Sequence, residues 1–560
     1  MTYRLRHTTY ITPAVQLLII SGLFAAALCD PIISYAEDGL ELPLGPNHTP
    51  TSLRLTYALL NPPTIETTNL VANNIPTDLK PTPTAIRLSY ESLKLPGGEN
   101  MGMLAGNLLF DVSDKLRLGV GTYGAVRGER GGFITLGVEG EVQHRLSPSW
   151  LSHAGLFVGA GGGRGGQSLA GGGLMLRGDV GLTYETAGYG NIGFGISHVQ
   201  FPSGVISSTQ PYIQYEYPFH SLLSPGWAAD SPNDNNARVD PVQPGTNEFS
   251  IVARHYQIPS SVVRDNGQPQ HSSMQLLGVE WLSYLDERWF LKLESEGAMG
   301  GQNNGYMQIL AGGGYRLPIT RSTSIKLHAA AGPAGGGGVD TGGGLLLDAG
   351  LSLQQNLNAR TALELSIGEV RAPSRSFEAL SLALKLNYQF GLPNVSSPAV
   401  SWSALRDFDT ESLRVRLANQ TYLKADPLWR SSFVDTSVSN LGVQIDYFMT
   451  PNWFITGQGL AAYAGNAGSY MTGEVGIGTH WPVARNWFTE GEALLGAAGG
   501  GGLAVGGGLV GQVNASVGYH LSNALSVITT AGRVEALSGN FKANVAGVSL
   551  AYQFTGFTAK

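Results

Sequence analysis

The sequence predicts an all-β fold, a transmembrane antiparallel β-barrel chain of about 24 strands arranged as three repeats of eight. Three observations carry this reading. Along Leu380–Phe390, LSLALKLNYQF, apolar Leu380, Leu382, Leu384, Leu386, Tyr388 and Phe390 alternate with Ser381, Ala383, Lys385, Asn387 and Gln389, the period-2 pattern of a strand with two unlike faces. The chain repeats itself: glycine triplets begin at Gly171, Gly342 and Gly506, and aromatic endings at Phe219, Phe390 and Phe554 follow 48 residues later each time. In the strands that alternate most clearly, with Ile86, Leu88 and Tyr90 against Arg87, Ser89 and Glu91, or Leu413, Val415 and Leu417 against Ser412, Arg414 and Arg416, the charges fall on one face only. A charge at a lipid midplane costs about 2–4 kcal/mol, so the clean face reads as facing lipid and the charged face as the lumen.

The elements follow in chain order. Residues 1–36 read as a signal peptide, with basic Arg4, Arg6 and His7, an apolar Val15–Leu28 and Ser34-Tyr35-Ala36 as a cleavage site. Cys29 occupies a lipoprotein-like position, but the large Leu28 before it argues against lipidation. Cleavage after Ala36 leaves a cysteine-free chain with a net charge of -8, which argues against nucleic acid as a partner. Residues 37–84 form an extension outside the repeat, in which Ser52–Leu60 is a candidate strand or plug. Repeat 1 spans 85–219, a linker 220–247, repeat 2 248–390, a second linker 391–410, and repeat 3 411–560. Turn residues divide the third repeat into strands near 411–422, 440–449, 453–464, 469–481, 487–498, 506–520, 524–536 and 541–554. Beyond the signal there is no run of 18 apolar residues, so no helix is available to span a membrane.

The lumen-facing charges that alternation assigns are Arg87, Glu139, Glu141, Arg177 and Asp179 in the first repeat. In the second they are Arg254, Lys292, Glu294, Glu296, Asp348 and Lys385, and in the third Arg414, Arg416, Glu474, Glu490 and Glu492. Trp150, Trp289, Trp453 and Trp487 fall at turns, as girdle anchors do. Two arrangements fit these strands: three tandem eight-stranded barrels, or one wide pore. The long polar linkers lie only at the copy boundaries, and mixed-sign faces suit a lumen filled with paired charges. Both favour three barrels.

No chemistry-bearing constellation emerges. The glycine-rich segments 159–173, 335–344 and 499–508 lack the Lys-Ser or Lys-Thr and following helix of a phosphate loop. They read instead as hairpins between strands five and six where backbones approach closely, or as the lining of a narrow polysaccharide path. His153, His328 and His480 do not align into a repeated set with serine and aspartate, and no nucleophile elbow occurs. Glu490 and Glu492 share one face, as an acid–base pair would, yet nearby cations make ion-pair filling the better use. No catalytic, metal or cofactor residues are therefore assigned. The first outer loop of each copy is expected to be the longest, at 61–84, 259–273 and 424–439.

Signal, girdle aromatics, alternating strands and aromatic closing segments such as Tyr388-Gln389-Phe390 and Tyr552-Gln553-Phe554 resemble Gram-negative outer-membrane β-barrels over residues 85–554. The module length is similar to the small eight-stranded class. Tandem barrels resemble, more distantly and by architecture alone, an outer-membrane family associated with exopolysaccharide secretion. The resemblance implies residence in the outer membrane and a non-enzymatic transport, export-accessory or envelope-structural role. A lipid- or glycan-modifying enzyme and a porin-like pore are the alternatives. The implied partners are outer-membrane lipid and lipopolysaccharide, the barrel-assembly machinery and an envelope export complex.

Overall fold

In the computed structural model the described residues are 78–186, 188–227, 241–395 and 399–560. The signal segment, Ser52–Leu60 and residues 61–77 of the expected first loop lie outside them. The chain is three closed eight-stranded antiparallel barrels in tandem and not one wide barrel. A two-residue strand β1 (Asp78–Leu79) precedes the first barrel. That barrel comprises β2 (Thr82–Lys94), β3 (Asn100–Asp111), β4 (Leu116–Arg127), β5 (Ile134–Ser147), β6 (Trp150–Gly162), β7 (Leu174–Glu185), β8 (Asn191–Gln200) and β9 (Ser207–Ser221). It closes through β2 against β9.

After β10 (Ser224–Pro225) come β11 (Pro244–Gln257), β12 (Ser273–Tyr284), β13 (Trp289–Gly300), β14 (Met307–Pro318), β15 (Thr323–Gly335), β16 (Leu345–Asn356), β17 (Thr361–Arg371) and β18 (Glu378–Pro393). This second barrel closes through β11 against β18. After β19 (Val400–Ser401) the third comprises β20 (Phe408–Lys424), β21 (Val438–Thr450), β22 (Trp453–Ala464), β23 (Met471–Pro482), β24 (Trp487–Gly499), β25 (Leu509–His520), β26 (Leu525–Ala536) and β27 (Lys542–Ala559). There β20 pairs with β27.

Each barrel has a base, where its first strand starts and its last strand ends, and a top. The base turns are short because a side chain organises them. Asp286 Oδ1 accepts the backbone N–H groups of Arg288 and Trp289, both at 2.7 Å, and these two donors hold its carboxyl below the usual range. Asn358 does the same for Arg360 and Thr361, and Ser522 for Ala524 and Leu525. A short polar side chain closing its own turn in this way is the local signal that reverses the strand. Just beyond these turns Trp150, Trp289 and Trp487 pack on Tyr184, Tyr315 and Tyr519 with ring centres 5.1, 4.9 and 4.9 Å apart. They form the base-side aromatic belt.

The described parts of both linkers are built into the base. Linker strand β10 adds to the closing strand of the third barrel, where Ser224 pairs with Thr555 and Pro225 with Phe554. Two residues on, half-buried Trp227 donates its indole N–H to the Leu413 carbonyl at 3.0 Å. Its ring stands 4.5 Å from Phe448 and 6.0 Å from His480, a lumen residue. The first linker thereby stoppers the base of the third barrel. The second linker pairs β19 with β1 and lays Val400, Trp402, Ala404 and Leu405 against Leu79, Leu222, Phe408 and Phe557. Trp227→Ala is expected to lower third-barrel stability by about 2 kcal/mol, roughly half the cost of removing a fully buried tryptophan. Hydrogen exchange at β20 and β27 should rise while exchange in the second barrel stays unchanged.

One expected loop is corrected. Thr82–Thr84 belong to β2, and the first top loop of the first barrel is only Leu95–Glu99, closed by a Leu95 N–H to Glu99 carbonyl bond of 2.8 Å. The counterparts after β11 and β20 are longer and fold over their own lumens. Arg430 donates to the carbonyls of Thr436, Gly465, Asn466 and Gly501 at 2.9–3.2 Å, and Arg264 donates to Gly337.

Candidate functional site

The lumens hold every charge that alternation assigned to them, each no more than 7% exposed. In the first barrel Arg87 bonds Glu139 at 2.8 Å, Glu141 at 2.5 Å and Glu216 at 2.6 Å, while Arg177 joins Glu91 and Asp179. In the second, Arg254 lies between Glu294 and Glu296 at 2.9 and 2.8 Å, and Lys292 reaches Glu294 at 2.8 Å and Asp348 at 3.0 Å. Lys385 reaches Glu280 at 2.7 Å. In the third, Arg414 bonds Asp446 and Glu490, both at 2.7 Å, and Arg416 bonds Asp446 at 2.6 Å and Glu492 at 2.7 Å. Glu474 stands apart, held by Thr472 at 2.8 Å and Gln458 at 3.1 Å.

Glu91, which alternates with Ile86, Leu88 and Tyr90 as Arg87 does, is buried in the lumen as expected, whereas Arg117, Glu216, Glu248, Glu280, Lys326, Glu364 and Asp446 are lumen charges that alternation had not assigned. Asp446 was within reach of it, since Val443 and Ile445 alternate with Gln444 and Asp446. Arg117 was too, since Leu116, Leu118 and Val120 alternate with Arg117, Gly119 and Gly121.

Above the charges each lumen is plugged by apolar side chains. In the third barrel Trp429 stacks on Phe541 at 6.2 Å and 13°, beside Tyr422, Tyr470, Val510 and Val534. Phe133, Phe157, Phe201 and Met101 fill the first barrel, and Tyr256, Tyr306, Phe377 and Val339 the second. These lumens are packed cores, as eight-stranded closure allows, with an ionic layer beneath the apolar plug and, at the base, a further apolar layer of Leu282, Tyr284 and Phe290 in the second barrel and of Phe448, Phe454 and Phe488 in the third.

The three histidines lie against carboxylates. His153 is 3.7 Å from Asp179, His328 3.1 Å from Asp348 and His480 2.8 Å from Glu490. His153 hydrogen-bonds to the Tyr212 and Thr183 hydroxyls. Glu490 and Glu492 face two arginines, which makes them ion-pair partners. Among the described residues no group of three metal-ligating side chains occurs.

The glycine-rich segments turn out to join the barrels. The first glycine of each triplet accepts a hydrogen bond from the top loop of another barrel. Gly342 takes the Gly131 N–H at 2.7 Å, Gly171 takes the Gly468 N–H at 3.1 Å, and Gly506 takes the Asn304 side-chain amide at 2.5 Å. The third glycine of each lies flat on a foreign strand. A Cβ on Gly173, Gly344 or Gly508 would come within 2.1–2.2 Å of the carbonyl of Ala462, Ala125 or Ala298 respectively. All three adopt φ near +100°, a region that favours glycine.

The third strand and second top loop of each barrel thus meet the fifth strand and third top loop of the next. This heterologous contact closes on itself after three barrels. Between the first and third barrels the contact continues downward, with Leu108, Phe110 and Val120 packed on Val415, Tyr552 and Phe554. Close backbone approach was legible from the glycines; that the approaching backbone belongs to another barrel was not.

No family model matches the chain, and no curated protein does. Among solved structures, the siderophore receptor PirA from Acinetobacter baumannii aligns at 8% identity and TM-score 0.26, covering 84% of this chain and 80% of that one. Pseudomonas aeruginosa OpdQ aligns at 11% identity and TM-score 0.19, covering 85% and 97%. A de novo designed transmembrane β-barrel aligns at 15% identity and TM-score 0.18, covering 25% of this chain and 94% of its own. These scores are too low to carry an argument. The architecture rests on the strand pairings themselves: three filled barrels, locked top to top by glycine.

Proposed function

We propose that this is a non-enzymatic protein of the Gram-negative outer membrane, exported by its N-terminal signal, which acts as an envelope-structural or export-accessory element and not as a diffusion pore through its lumens. The carrying observation is the filling of all three lumens by ion clusters and apolar plugs beneath an outer surface of exposed Leu, Ile, Val and Tyr. Such a surface suits lipid, and lipopolysaccharide and phospholipid are its immediate partners, with barrel-assembly machinery needed for insertion. The base platform, built from both linkers, is the face available to an envelope export complex. Planar-bilayer recording of the refolded mature protein tests the reading. Inserted protein should show no stable conductance steps across a salt series; large steps would replace the proposal with a porin-like pore.

A further inference from the structure

The three copies give an internal comparison, and it isolates one place where the second barrel departs from the other two. On its outer face Ala311 of β14, Ala329 and Ala331 of β15, and Ala349 of β16 line a groove of about 580 Å³ together with Leu347, Glu369 and Arg371. At the matching ladder positions the first barrel carries Val138, Leu156, Val158 and Gly178, and the third carries Val475, Ala493, Leu495 and Val513. The ridge of branched side chains is missing only here. The groove opens directly below the point where Pro333 of the same strand presses on Gly124 of the first barrel.

The groove has a direction and a charged end. Arg371 is the last residue of β17, at the top; it pairs with Leu347, which pairs with Ala331, which pairs with Ala311, four residues in from the top of β14. The row therefore descends from the top rim into the apolar belt. Arg371 and Glu369 point outward and are exposed, and neither has an ion-pair partner among the described residues, although Glu378 lies across the ladder from Arg371. In the third barrel the same two positions hold Arg533 and Glu535, which pair with each other at 2.8 Å; in the first they hold His198 and Gln200. An unpaired cation and an unpaired carboxylate at the head of an apolar groove call for a ligand with an anionic group, hydroxyl donors and a hydrocarbon chain.

Resting on the outer-membrane reading above, we propose that this groove is a binding site for lipid A, the acylated, phosphorylated disaccharide of the outer leaflet. One acyl chain lies along Ala331 and Ala311, a phosphate pairs with Arg371, and a sugar hydroxyl donates to Glu369. Phosphatidylethanolamine shares the chain and the phosphate but has no head-group hydroxyl, and phosphatidylglycerol offers only the two hydroxyls of a flexible glycerol, with no sugar ring to hold them over Glu369.

Native mass spectrometry of the full mature chain, refolded in micelles doped equally with lipid A, phosphatidylethanolamine and phosphatidylglycerol, tests the assignment. The expected result is a retained lipid A adduct, reduced at least fivefold in A329L/A331V and in R371Q. All three replacements are the residues that the first barrel itself carries, so they suit the fold. Equal retention of the three lipids, absence of an adduct, or full retention in both variants overturns the proposal. Insertion into vesicles is scored separately. Protein that fails to insert sinks the membrane reading, whereas inserted protein without a lipid A adduct sinks this inference alone.

Discussion

Arg414→Ala is expected to lower the stability of the third barrel by about 3–5 kcal/mol, the cost of breaking a buried ion pair and leaving its partners behind. Arg414 is fully buried, bonds both Asp446 and Glu490, and lies with its guanidinium 5.1 and 5.3 Å above the rings of Phe448 and Phe454. The lumen of this barrel contains two buried arginines, Arg414 and Arg416, against four buried carboxylates, Asp446, Glu474, Glu490 and Glu492. Removing one arginine leaves Arg416 alone to serve both Asp446 and Glu490, in a space too small to admit bulk water. The urea midpoint of refolding in detergent should fall for the third barrel and hold for the second, whose charges form a separate cluster.

Arg414→Met combined with Glu490→Leu should recover most of the loss, because a packed apolar pair avoids the desolvation that the ion pair must offset. The same variants separate a core role from a pore role. The plug of Trp429, Tyr422, Tyr470 and Phe541 remains above the cavity, so Arg414→Ala protein that still inserts should stay electrically silent. A change in ion selectivity with unchanged stability would mean that Arg414 lines a conduit.

The sequence displayed the barrel far better than it displayed the assembly, and the reason is physical. A strand's two faces see different surroundings at every second residue, so Arg87, Arg254 and Arg414 announce themselves by alternation alone. The copy period shows through because the glycine triplet and the aromatic ending each answer a fixed geometric demand. Contacts between barrels leave a fainter trace. Leu108, Phe110 and Val415 lie on the apolar outer face like their neighbours, and burial by another barrel or by lipid asks the same residue type of them. The role of Trp227 was equally hidden. It lies in a linker of no periodicity, and only the folded base shows the linker turning back to the third barrel instead of running straight to the second. The groove of Ala311, Ala329 and Ala331 needed both sources, since the copies must be aligned strand by strand before the missing ridge is visible.

Glycine at the third triplet position is the other point where a single change should have a large effect, and here the expected loss is of assembly. Gly508→Val should detach the third barrel from the second at the top while leaving each barrel closed. A Cβ at this position would stand 2.2 Å from the Ala298 carbonyl and 3.1 Å from the Ala498 carbonyl. Its φ of +101° adds strain for any branched residue. Overpacking of this kind costs about 1–3 kcal/mol, and the left-handed backbone adds about 1–2 kcal/mol. Separating the barrels relieves the clash with Ala298, while the backbone strain stays in the hairpin; within the third barrel β24 and β25 remain paired from Trp487–Tyr519 up to Ala497–Leu509.

A disulfide reports the event. A Cβ on Gly297 would lie 3.0 Å from the Cβ of Ala497 across this interface, about half an ångström shorter than the usual disulfide range, so a slight separation of the two strands brings a cysteine pair into it. G297C/A497C in a mature chain with no other cysteine should therefore oxidise readily. Adding Gly508→Val should cut the yield at least tenfold, while Gly473→Ala, where a Cβ meets nothing within 4 Å, should leave it unchanged. Undiminished cross-linking in the Gly508→Val chain would show that the triplet serves its own hairpin. Loss of barrel closure along with the cross-link would show that ring and barrels fold as one unit, and the glycine contacts would then belong to the folding core and not to a joint between finished modules.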